Sequence, residues 1–360
     1  MSPQPAQAAD ALVRAKAKEL GFEAVGVARA DLPLDLDFGR YQDFVDSGMH
    51  GEMAWLAENA EARRRLDTSD ILRDAKSVVC LARRYRRDDE EKDPATAKTI
   101  ARYARGHDYH NVVRRKLRRL AAFMRRLGTE AEPARARPMI DDAPLLERAW
   151  AARAGLGFIG KNGLLIVPGE GSFVLLGEVV TTLELTPNAP MAERCGSCTL
   201  CLEACPTKAF VRPFVLDPRK CISYLTIEHR SSIEPELRDG VGEHLFGCDD
   251  CQTVCPFNAS SRPRGPERTR TFEPLERWST LALESLLSMD PEAWEQVSAG
   301  SPVKRATPEG LARNAAIVLG NRTNAEGSAV DALRAAAEHH PSADVRETAG
   351  WAVKKRVRGT

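Results

Sequence analysis

The sequence predicts an α+β protein built from three consecutive parts. In residues 1–185, apolar runs typical of buried strands alternate with amphipathic helical stretches. Eight of the nine cysteines fall between residues 195 and 255. From residue 275 onward the pattern is helical. We therefore predict domains at residues 1–185, 186–265 and 275–360.

Charge and composition narrow the possible partners and compartments. The 360 residues carry a formal net charge of +1, so overall charge predicts no particular partner. The first residues lack the basic and apolar regions of a signal peptide. No apolar run approaches the about 20 residues that span a bilayer. We therefore expect a cytoplasmic monomer without membrane association, in a compartment where thiols stay reduced.

In residues 1–185 the sequence predicts strands and helices. Helices are predicted at 8–20 and 145–154, and strands at 22–28, 77–82, 135–140, 164–167 and 173–183. A Pro- and Asp-rich loop is predicted at 31–39, before a helical stretch at 41–60 that Gly48 and Gly51 interrupt. Cys80 lies inside an apolar run, which favours packing over chemistry.

A basic helix is predicted from about Asp108 to Leu127. The apolar positions that share one of its faces are Val113, Leu117, Leu120, Ala121 and Met124. Arginines crowd the remaining positions. They form either a solvated face or a surface for an anionic partner, and the residues alone leave both interpretations open.

Three glycines from Gly155 to Gly160 form the pattern G-x-G-x-x-G. A dinucleotide-binding fingerprint needs a strand before this pattern and a helix after it. Here a predicted helix precedes and predicted strands follow, so the pattern does not predict nucleotide binding. It indicates tight turns or close backbone approach to a bulky ligand, with Lys161 available to an anionic group.

The cysteine-rich part opens with C-x2-C-x2-C-x3-C-P, the bacterial iron–sulfur spacing. A shorter run, C-x2-C-x3-C-P, follows downstream, and one further cysteine lies between the two. In two-cluster proteins the last cysteine of the first run ligates the other cluster. We therefore predict two [4Fe–4S] clusters. Cluster one takes Cys195, Cys198, Cys201 and Cys255, and cluster two takes Cys205, Cys221, Cys248 and Cys251.

Zinc and disulfide bonds are the alternative uses of these cysteines. Paired C-x2-C units can hold zinc, but zinc sites seldom use the longer run. Disulfides need an oxidising compartment, and nothing in the sequence indicates export. Two clusters predict an electron relay to an acceptor. Cobalamin, a flavin or a bound substrate remain open as that acceptor from the residues alone.

Two further segments lie on either side of the cysteine-rich part. Asp141-Asp-Ala-Pro ends a predicted strand and begins a helix, where Asp and Pro are ordinary capping residues. Beyond a Pro/Arg/Gly linker at 262–270, helices are predicted at 308–319, 329–339 and 341–357. Their small residues are similar to those of HEAT-like repeats.

Five segments together resemble the epoxyqueuosine reductases, a family of cobalamin-dependent tRNA-modifying enzymes. They are Arg102–His110, Asp141–Arg148, Ala154–Asn162, Cys221–Glu228 and Phe246–Pro256, and the short segments Gly171–Phe173 and Leu176–Glu178 add to the resemblance. The resemblance implies reduction of epoxyqueuosine to queuosine at the wobble position of tRNA anticodons, the last step of queuosine biosynthesis. It also implies a cobalamin-binding α/β domain similar to reductive dehalogenases, a ferredoxin-like double-cluster domain and a HEAT-like helical domain.

The resemblance further implies roles for individual residues. Asp141 aligns with the family's catalytic acid, which overturns the capping interpretation, and desolvation would have to raise its pKa for donation near neutral pH. The implied cofactor-binding residues are Arg65, His110, Asp141, Gly160, Lys161, Ser172, Glu228 and Asp249. Cobalamin would have no protein histidine ligand to cobalt, and electrons would come from an external donor. The basic helix and the C-terminal repeats would contact the tRNA.

Two alternatives to this function remain. A cobalamin-dependent reductive dehalogenase would use the same clusters, but such enzymes usually carry an export signal and need no HEAT-like tail. A helical RNA-binding protein with purely structural clusters would need no electron acceptor. Corrin absorption bands in the purified protein distinguish the last alternative from the other two.

Overall fold

The computed structural model describes residues 5–141, 143–259, 272–323 and 327–358. The predicted linker at 262–270 and the side chain of Asp142 lie outside these ranges. Helices and strands are both present, and the cysteine-rich part joins a mixed first part to a helical third part. The α+β prediction is confirmed.

A four-stranded antiparallel sheet forms the centre of the first part. The strands of this part are β1 (Ala24–Arg29), β2 (Ser77–Arg84), β3 (Ala136–Met139), β4 (Phe158–Ile159), β5 (Leu165–Ile166) and β6 (Val174–Thr181). The order in the sheet is β1-β2-β6-β3, and β4 and β5 form a separate hairpin. A helix at 147–153 directly precedes Gly155, and strand β5 is the next element after Gly160, as the sequence predicted.

Helices cover both faces of the sheet. The helices of the first part are α1 (Pro5–Glu19), α2 (Asp35–Asp46), α3 (Ala60–Arg64), α4 (Ala95–Lys98), α5 (Tyr109–Arg125) and α6 (Glu147–Arg153). Helix α4 does not cover the sheet, because its buried residue Ala97 packs into the core of the helical third part. Every residue of β2 is buried because successive side chains enter two different cores. Val79 and Leu81 pack with α1 and α5, whereas Val78 and Cys80 pack with α6.

Prediction of the helices succeeded where apolar spacing was regular. All five apolar positions predicted on one face of α5 are buried. The loop predicted at 31–39 is wrong in its second half, because α2 begins at Asp35. Asp35 and Asp37 lie in the first turn of α2, where a negative charge favours the helix dipole. The helical stretch predicted at 41–60 is interrupted as expected, since α2 ends at Asp46.

Short elements dominate the cysteine-rich part. They are α7 (Leu200–Glu203), β7 (Phe210–Arg212), β8 (Val215–Leu216), α8 (Ile222–Ile227), α9 (Pro235–Val241), α10 (Asp250–Thr253) and α11 (Pro256–Ala259). Strands β7 and β8 form a hairpin. Helices this short are marginal by themselves, so this part depends on its neighbours and on bound groups for order.

The third part is helical, as predicted. Its helices are α12 (Arg277–Thr280), α13 (Pro291–Ser298), α14 (Pro308–Asn321), α15 (Gly327–His339) and α16 (Ala343–Arg358). One hydrophobic core joins Ile100 of the first part, Phe246 of the second and Trp278 of the third. The helical part therefore shares its core with the rest of the chain. The HEAT-like character of these helices stays a prediction.

A buried arginine also ties the third part to the second. Arg313 of α14 donates to the carbonyl oxygens of Leu225 at 2.6 Å and His229 at 3.0 Å, at the end of α8. Its neighbour Asn314 donates to the carbonyl oxygen of Thr226 at 2.8 Å. Cys221 and Glu228 flank α8, so α14 fixes the position of two predicted site residues.

Among the described helices, none is long and apolar enough to cross a bilayer.

Candidate functional site

The eight cysteines of the second part gather in two groups. One small cavity is lined by Cys195, Cys198, Cys201 and Cys255. The other group, whose thiols interact electrostatically with one another, consists of Cys205, Cys221, Cys248 and Cys251. All eight are free thiols. The structure brings together the cysteines that the crossing rule groups, and their assignment as ligands stays a prediction. Cys80 lies apart, on β2 in the core.

Local backbone geometry points these thiols inward. Gly196 adopts a left-handed φ of 53° in the first cysteine loop, a conformation that glycine reaches without strain. Backbone N–H groups donate to sulfur, from Ala209 to Cys205 at 3.3 Å and from Asp250 to Cys248 at 3.5 Å. Such donors favour a thiolate over a thiol. Four inward-facing thiols around a cavity fit the ligand set of an iron–sulfur cluster.

Burial opposes ionisation of these thiols when no metal is bound. It raises the pKa of the Cys195 thiol to about 11, and it raises the pKa of Cys221 and Cys251 as well. A metal ligand must be a thiolate, so cluster binding has to release these protons. The buried thiols therefore become thiolate ligands only when the metal binds and displaces their protons.

Three predicted cofactor-binding residues support the cysteine loops. Lys161 donates from Nζ to the carbonyl oxygens of Gly196 at 2.6 Å and Cys198 at 2.9 Å. Ser172 is buried and donates from Oγ to the Gln252 side chain at 3.0 Å. Gly160 lies at the turn between β4 and β5, where its N–H donates to the carbonyl oxygen of Leu164. The structure thus brings Lys161 to the loop of cluster one.

Asp249 anchors the second cysteine run to the first part of the chain. Its buried carboxylate accepts from the backbone N–H of Arg102 at 2.8 Å and from the Arg102 guanidinium at 3.1 Å. Arg102 also pairs with Glu90 at 2.6 Å. Tyr103 follows directly, so this contact holds the cluster-two loop beside the segment that leads into α5.

A three-residue hydrogen-bonded unit forms around Asp141. The Tyr109 hydroxyl donates to Oδ2 of Asp141. His110 lies with Nε2 2.7 Å from Oδ1 of Asp141 and with Nδ1 2.7 Å from Oδ1 of Asp108. Both Tyr109 and His110 come from the first turn of α5, which Asp108 caps. The cap of one helix therefore positions two partners of Asp141.

His110 is cationic at neutral pH in this arrangement. Burial by itself lowers the pKa of His110, but hydrogen bonds to Asp108 and Asp141 outweigh it and raise the pKa to about 10. The His110 hydrogen bond in turn lowers the pKa of Asp108. His110 bridges two carboxylates rather than packing in an apolar core, so it can hold a proton next to Asp141.

Arg305 reaches the same site from the third part. It donates to the carboxylate of Glu228 at 2.9 Å from both Nε and Nη2, and its guanidinium lies 5.9 Å from the centre of the Trp55 ring. Glu228 raises the pKa of Arg305, and the charges of Asp141 and Tyr109 add to the effect. Sequence reasoning missed Arg305 and Trp55, because no local spacing connects them to Asp141.

Buried polar groups without hydrogen-bond partners lie behind Asp141. Glu178 on β6 is fully buried opposite Met139 of β3, and neither carboxylate oxygen has a hydrogen-bond partner among the described residues. Within the same part of the chain, Trp150 Nε1 also lacks a partner. Burial raises the pKa of Glu178 well above its usual value, and Glu147 and Asp141 add to the effect. Glu178 is therefore a neutral acid that can both donate and accept.

Arg65 is the predicted site residue that the structure places elsewhere. It lies at the surface and pairs with Asp67 at 2.8 Å. The charges that raise the pKa of Arg65 are Asp67, then Asp35 and Asp31. None of these residues belongs to the unit around Asp141, so the structure gives Arg65 no contact with it among the described residues.

Two protein families match separate segments of this chain. The family described as "Epoxyqueuosine reductase QueG, DUF1730" matches residues 65–142, and the "4Fe-4S double cluster binding domain" matches residues 194–258. The first segment contains Tyr109, His110 and Asp141, and the second contains all eight clustered cysteines. The prediction of a double-cluster domain is confirmed.

Related proteins match over most of the chain. An epoxyqueuosine reductase of Gloeobacter violaceus is 40% identical over 326 residues, covering 89% of this chain and 97% of the relative. That of Escherichia coli K12 is 34% identical over 347 residues, covering 94% and 87%.

Solved structures match as extensively as the sequences do. The crystal structure of an epoxyqueuosine reductase with an epoxyqueuosine-modified tRNA-Tyr stem loop has a TM-score of 0.83 and 31% identity, over 96% of this chain and 89% of that one. A second solved structure is the epoxyqueuosine reductase of Bacillus subtilis, in which the loop that carries the catalytic aspartate is swung out of the active site. It has a TM-score of 0.83 and 31% identity, over 96% of this chain and 90% of that one. The chain belongs to the epoxyqueuosine reductase family.

Proposed function

We propose that this protein reduces epoxyqueuosine to queuosine in the anticodon of tRNA. The observation that carries the proposal is the Tyr109–Asp141–His110 unit beside a double-cluster cysteine segment. A solved relative with a TM-score of 0.83 holds an epoxyqueuosine-modified stem loop, which supports tRNA as the substrate. We also propose that the protein acts as a cytoplasmic monomer with an external electron donor.

The residues behind Asp141 fit a cobalamin. A corrin ring carries primary amides on its rim, and a neutral carboxylic acid can donate to and accept from such an amide. Glu178 and Trp150 offer buried polar atoms that no other described group satisfies, and leaving them unpaired would be costly. When bound, the clusters supply single electrons and cobalamin supplies a reducing cobalt centre. Glu178 and Trp150 are fully buried, so an amide of the cofactor would reach them only after neighbouring side chains move.

The protein histidine nearest Asp141 is not free to ligate a metal. Both ring nitrogens of His110 already face carboxylates, Asp108 on one side and Asp141 on the other. This geometry supports a cobalamin without a protein histidine ligand to cobalt. The chain's residues would then act on the cofactor through burial and hydrogen bonds.

Proton delivery is the chemistry that the chain's own residues perform. Converting the epoxide to an alkene consumes two electrons and two protons and releases one water. The sequence suggested that Asp141 stores a proton through desolvation by the corrin face, and the structure adds two donors that face its carboxylate. We therefore assign the stored proton to His110, which passes it through Asp141 to the oxygen of the opening epoxide. A positioned group of this kind contributes about 10²–10⁴-fold to a rate.

The remaining predicted contacts concern tRNA. Arg115, Arg118 and Arg119 are exposed on α5, away from its buried face. Phosphate contacts by such residues make binding strongly dependent on salt. We propose α5 and the C-terminal helices as tRNA surfaces, with Arg305 and Trp55 at the edge nearest the reacting base.

An anaerobic assay with mass spectrometry of the nucleosides tests this function. Protein reconstituted with iron, sulfide and cobalamin is reduced with dithionite and mixed with tRNA that carries epoxyqueuosine. The proposal expects queuosine to appear and corrin absorption bands to remain with the protein. Failure of fully reconstituted protein to form queuosine would contradict it.

A further inference from the structure

The two cysteine groups differ in how far they are exposed to solvent. Gly196, Ser197, Thr199 and Leu200, between the ligands of cluster one, are exposed. Around the cluster-two ligands Cys248 and Cys251 the residues Gly247, Asp249 and Gln252 are buried, whereas Pro206 and Lys220, beside Cys205 and Cys221, are exposed. Electron transfer from another protein requires close approach, so the loop of cluster one is the accessible place for it.

We propose that the face around cluster one docks a small, acidic one-electron carrier protein. The inference rests on the proposed function, because reduction of the substrate needs electrons from outside the chain. The input face is defined by four exposed apolar side chains, which are Leu200, Val211, Phe214 and Val254. Their exposed fractions are 46%, 64%, 48% and 37%.

Hydrogen bonds connect the input face to the cysteine loop of cluster one. Phe214, in the turn between β7 and β8, donates from its backbone N–H to the carbonyl oxygen of Lys161 at 2.9 Å. Lys161 in turn donates to Gly196 and Cys198 of the loop. Leu200 lines the cavity of cluster one itself. Phe214 and Leu200 are therefore attached to the cluster-one site, and Val254 directly precedes its ligand Cys255.

Charge on this face favours an acidic partner. Between residues 193 and 220 the exposed basic residues are Arg194, Lys208, Arg212, Arg219 and Lys220, and the exposed acidic ones are Glu193 and Glu203. Arg219 pairs with the buried Asp217 at 2.9 Å, so four of the five basic side chains exceed the two exposed carboxylates. A small apolar patch with a basic rim suits a weak, transient redox encounter that is steered by opposite charge.

Each encounter transfers one electron and forms no bond. The reduced carrier is oxidised by one electron, and cluster one is reduced by one. Reduction of one epoxide needs two electrons, so the carrier must dock twice in each turnover. A partner that dissociates quickly meets this requirement better than a permanent subunit.

Stopped-flow spectroscopy under anaerobic conditions tests the proposal, with reduced bacterial flavodoxin as the acidic probe. Bleaching of the cluster absorbance reports electron transfer without tRNA or turnover. We expect Lys208→Glu/Arg212→Glu to lower the second-order rate constant at least tenfold at low salt. Rising salt should slow the parent protein and leave this variant little changed. Phe214→Ser should also slow reduction by flavodoxin.

The controls separate docking from cluster integrity and from the proposed function. Dithionite, which needs no docking surface, should reduce parent and variants at equal rates, and dithionite-driven queuosine formation should stay unchanged. The matched variant Arg118→Glu/Arg119→Glu on α5 should be reduced by flavodoxin at the parent rate. Parent-like reduction of the Lys208→Glu/Arg212→Glu variant, or parent kinetics independent of salt, would overturn the proposal. Should Phe214→Ser lose iron, Val211→Ser replaces it with the same expectation.

Discussion

The cysteine segment and the Asp141 site reach function by opposite routes. All eight cluster thiols lie within one stretch of chain, and tight turns bring each run together. The Asp141 site takes Tyr109 and His110 from α5, Glu228 from the end of α8, and Arg305 from the third part. The first site is encoded by spacing, whereas the second exists only when the three parts share a core.

Because the two sites are built differently, cluster binding and proton delivery should be lost through different substitutions. A cysteine substitution should remove a cluster and leave the tertiary fold of the first part. A substitution at the Asp141 site should leave both clusters and remove proton delivery. The predictions below separate these outcomes, beginning with the largest effect on turnover.

Loss of a cluster-two ligand should abolish turnover. We expect Cys221→Ala to lose the iron of cluster two, about half of the total, because a four-iron cluster needs its four thiolates. Iron analysis and the visible spectrum of anaerobically purified protein measure this. Cys80→Ala is the matched control and should keep all iron, since Cys80 is buried in an apolar core. Full iron content in Cys221→Ala would refute the ligand assignment.

Asp141→Asn should lower the rate of queuosine formation by about 10³-fold, within the range for a positioned proton donor. Asparagine keeps the shape of the side chain but cannot pass a proton. Iron content and the corrin spectrum should match those of the parent protein. A rate within threefold of the parent would show that the proton reaches the substrate by another route.

His110→Gln should lower the rate by about 10²-fold, because Asp141 would lose its proton source. The same residue predicts a pH effect on stability. A pKa raised from its unfolded value to about 10 contributes stability that is full below about 6.5 and lost as pH rises through about 10.

Thermal unfolding across pH measures this effect of His110. The stability advantage of the parent over His110→Gln should be largest near pH 6 and disappear above pH 10. An advantage that grows with rising pH would mean that His110 is neutral in the folded protein.

Arg305→Lys should have the smallest effect on turnover, about tenfold in kcat/KM. Lysine keeps the charge beside Asp141 but cannot pair with both oxygens of Glu228. Steady-state kinetics with the modified stem loop should show the change mainly in KM. A change confined to kcat would instead assign Arg305 to the chemical step.

Regular spacing decided which parts of the fold could be predicted. The apolar face of α5 and the strand β2 follow from periods of 3.6 and 2 residues, which one stretch of chain contains. The start of α2 was missed because Leu34 and Asp35 lie in a Pro- and Asp-rich segment that resembles a loop. Propensity is a weak guide where tertiary packing decides.

The residues of the candidate site also divide into those that the sequence could predict and those that only the structure shows. The cysteine groups follow from spacing, and resemblance to a family pointed to Asp141 and His110. Neither route found Arg305, because its place beside Glu228 depends on how α14 and its neighbours pack against α8. The role assigned to His110 also came from geometry, since only the structure shows both carboxylates at its ring nitrogens.

The most direct test of the account counts electrons in a single turnover. Protein with both clusters reduced is freed of excess reductant, mixed anaerobically with tRNA carrying epoxyqueuosine, and analysed for queuosine by mass spectrometry. The account predicts about one queuosine per protein, because two one-electron clusters hold the two electrons that the reaction consumes, with cluster absorbance recovering in step. Fully reduced protein that forms no queuosine, or that forms it while the clusters stay reduced, would contradict the account.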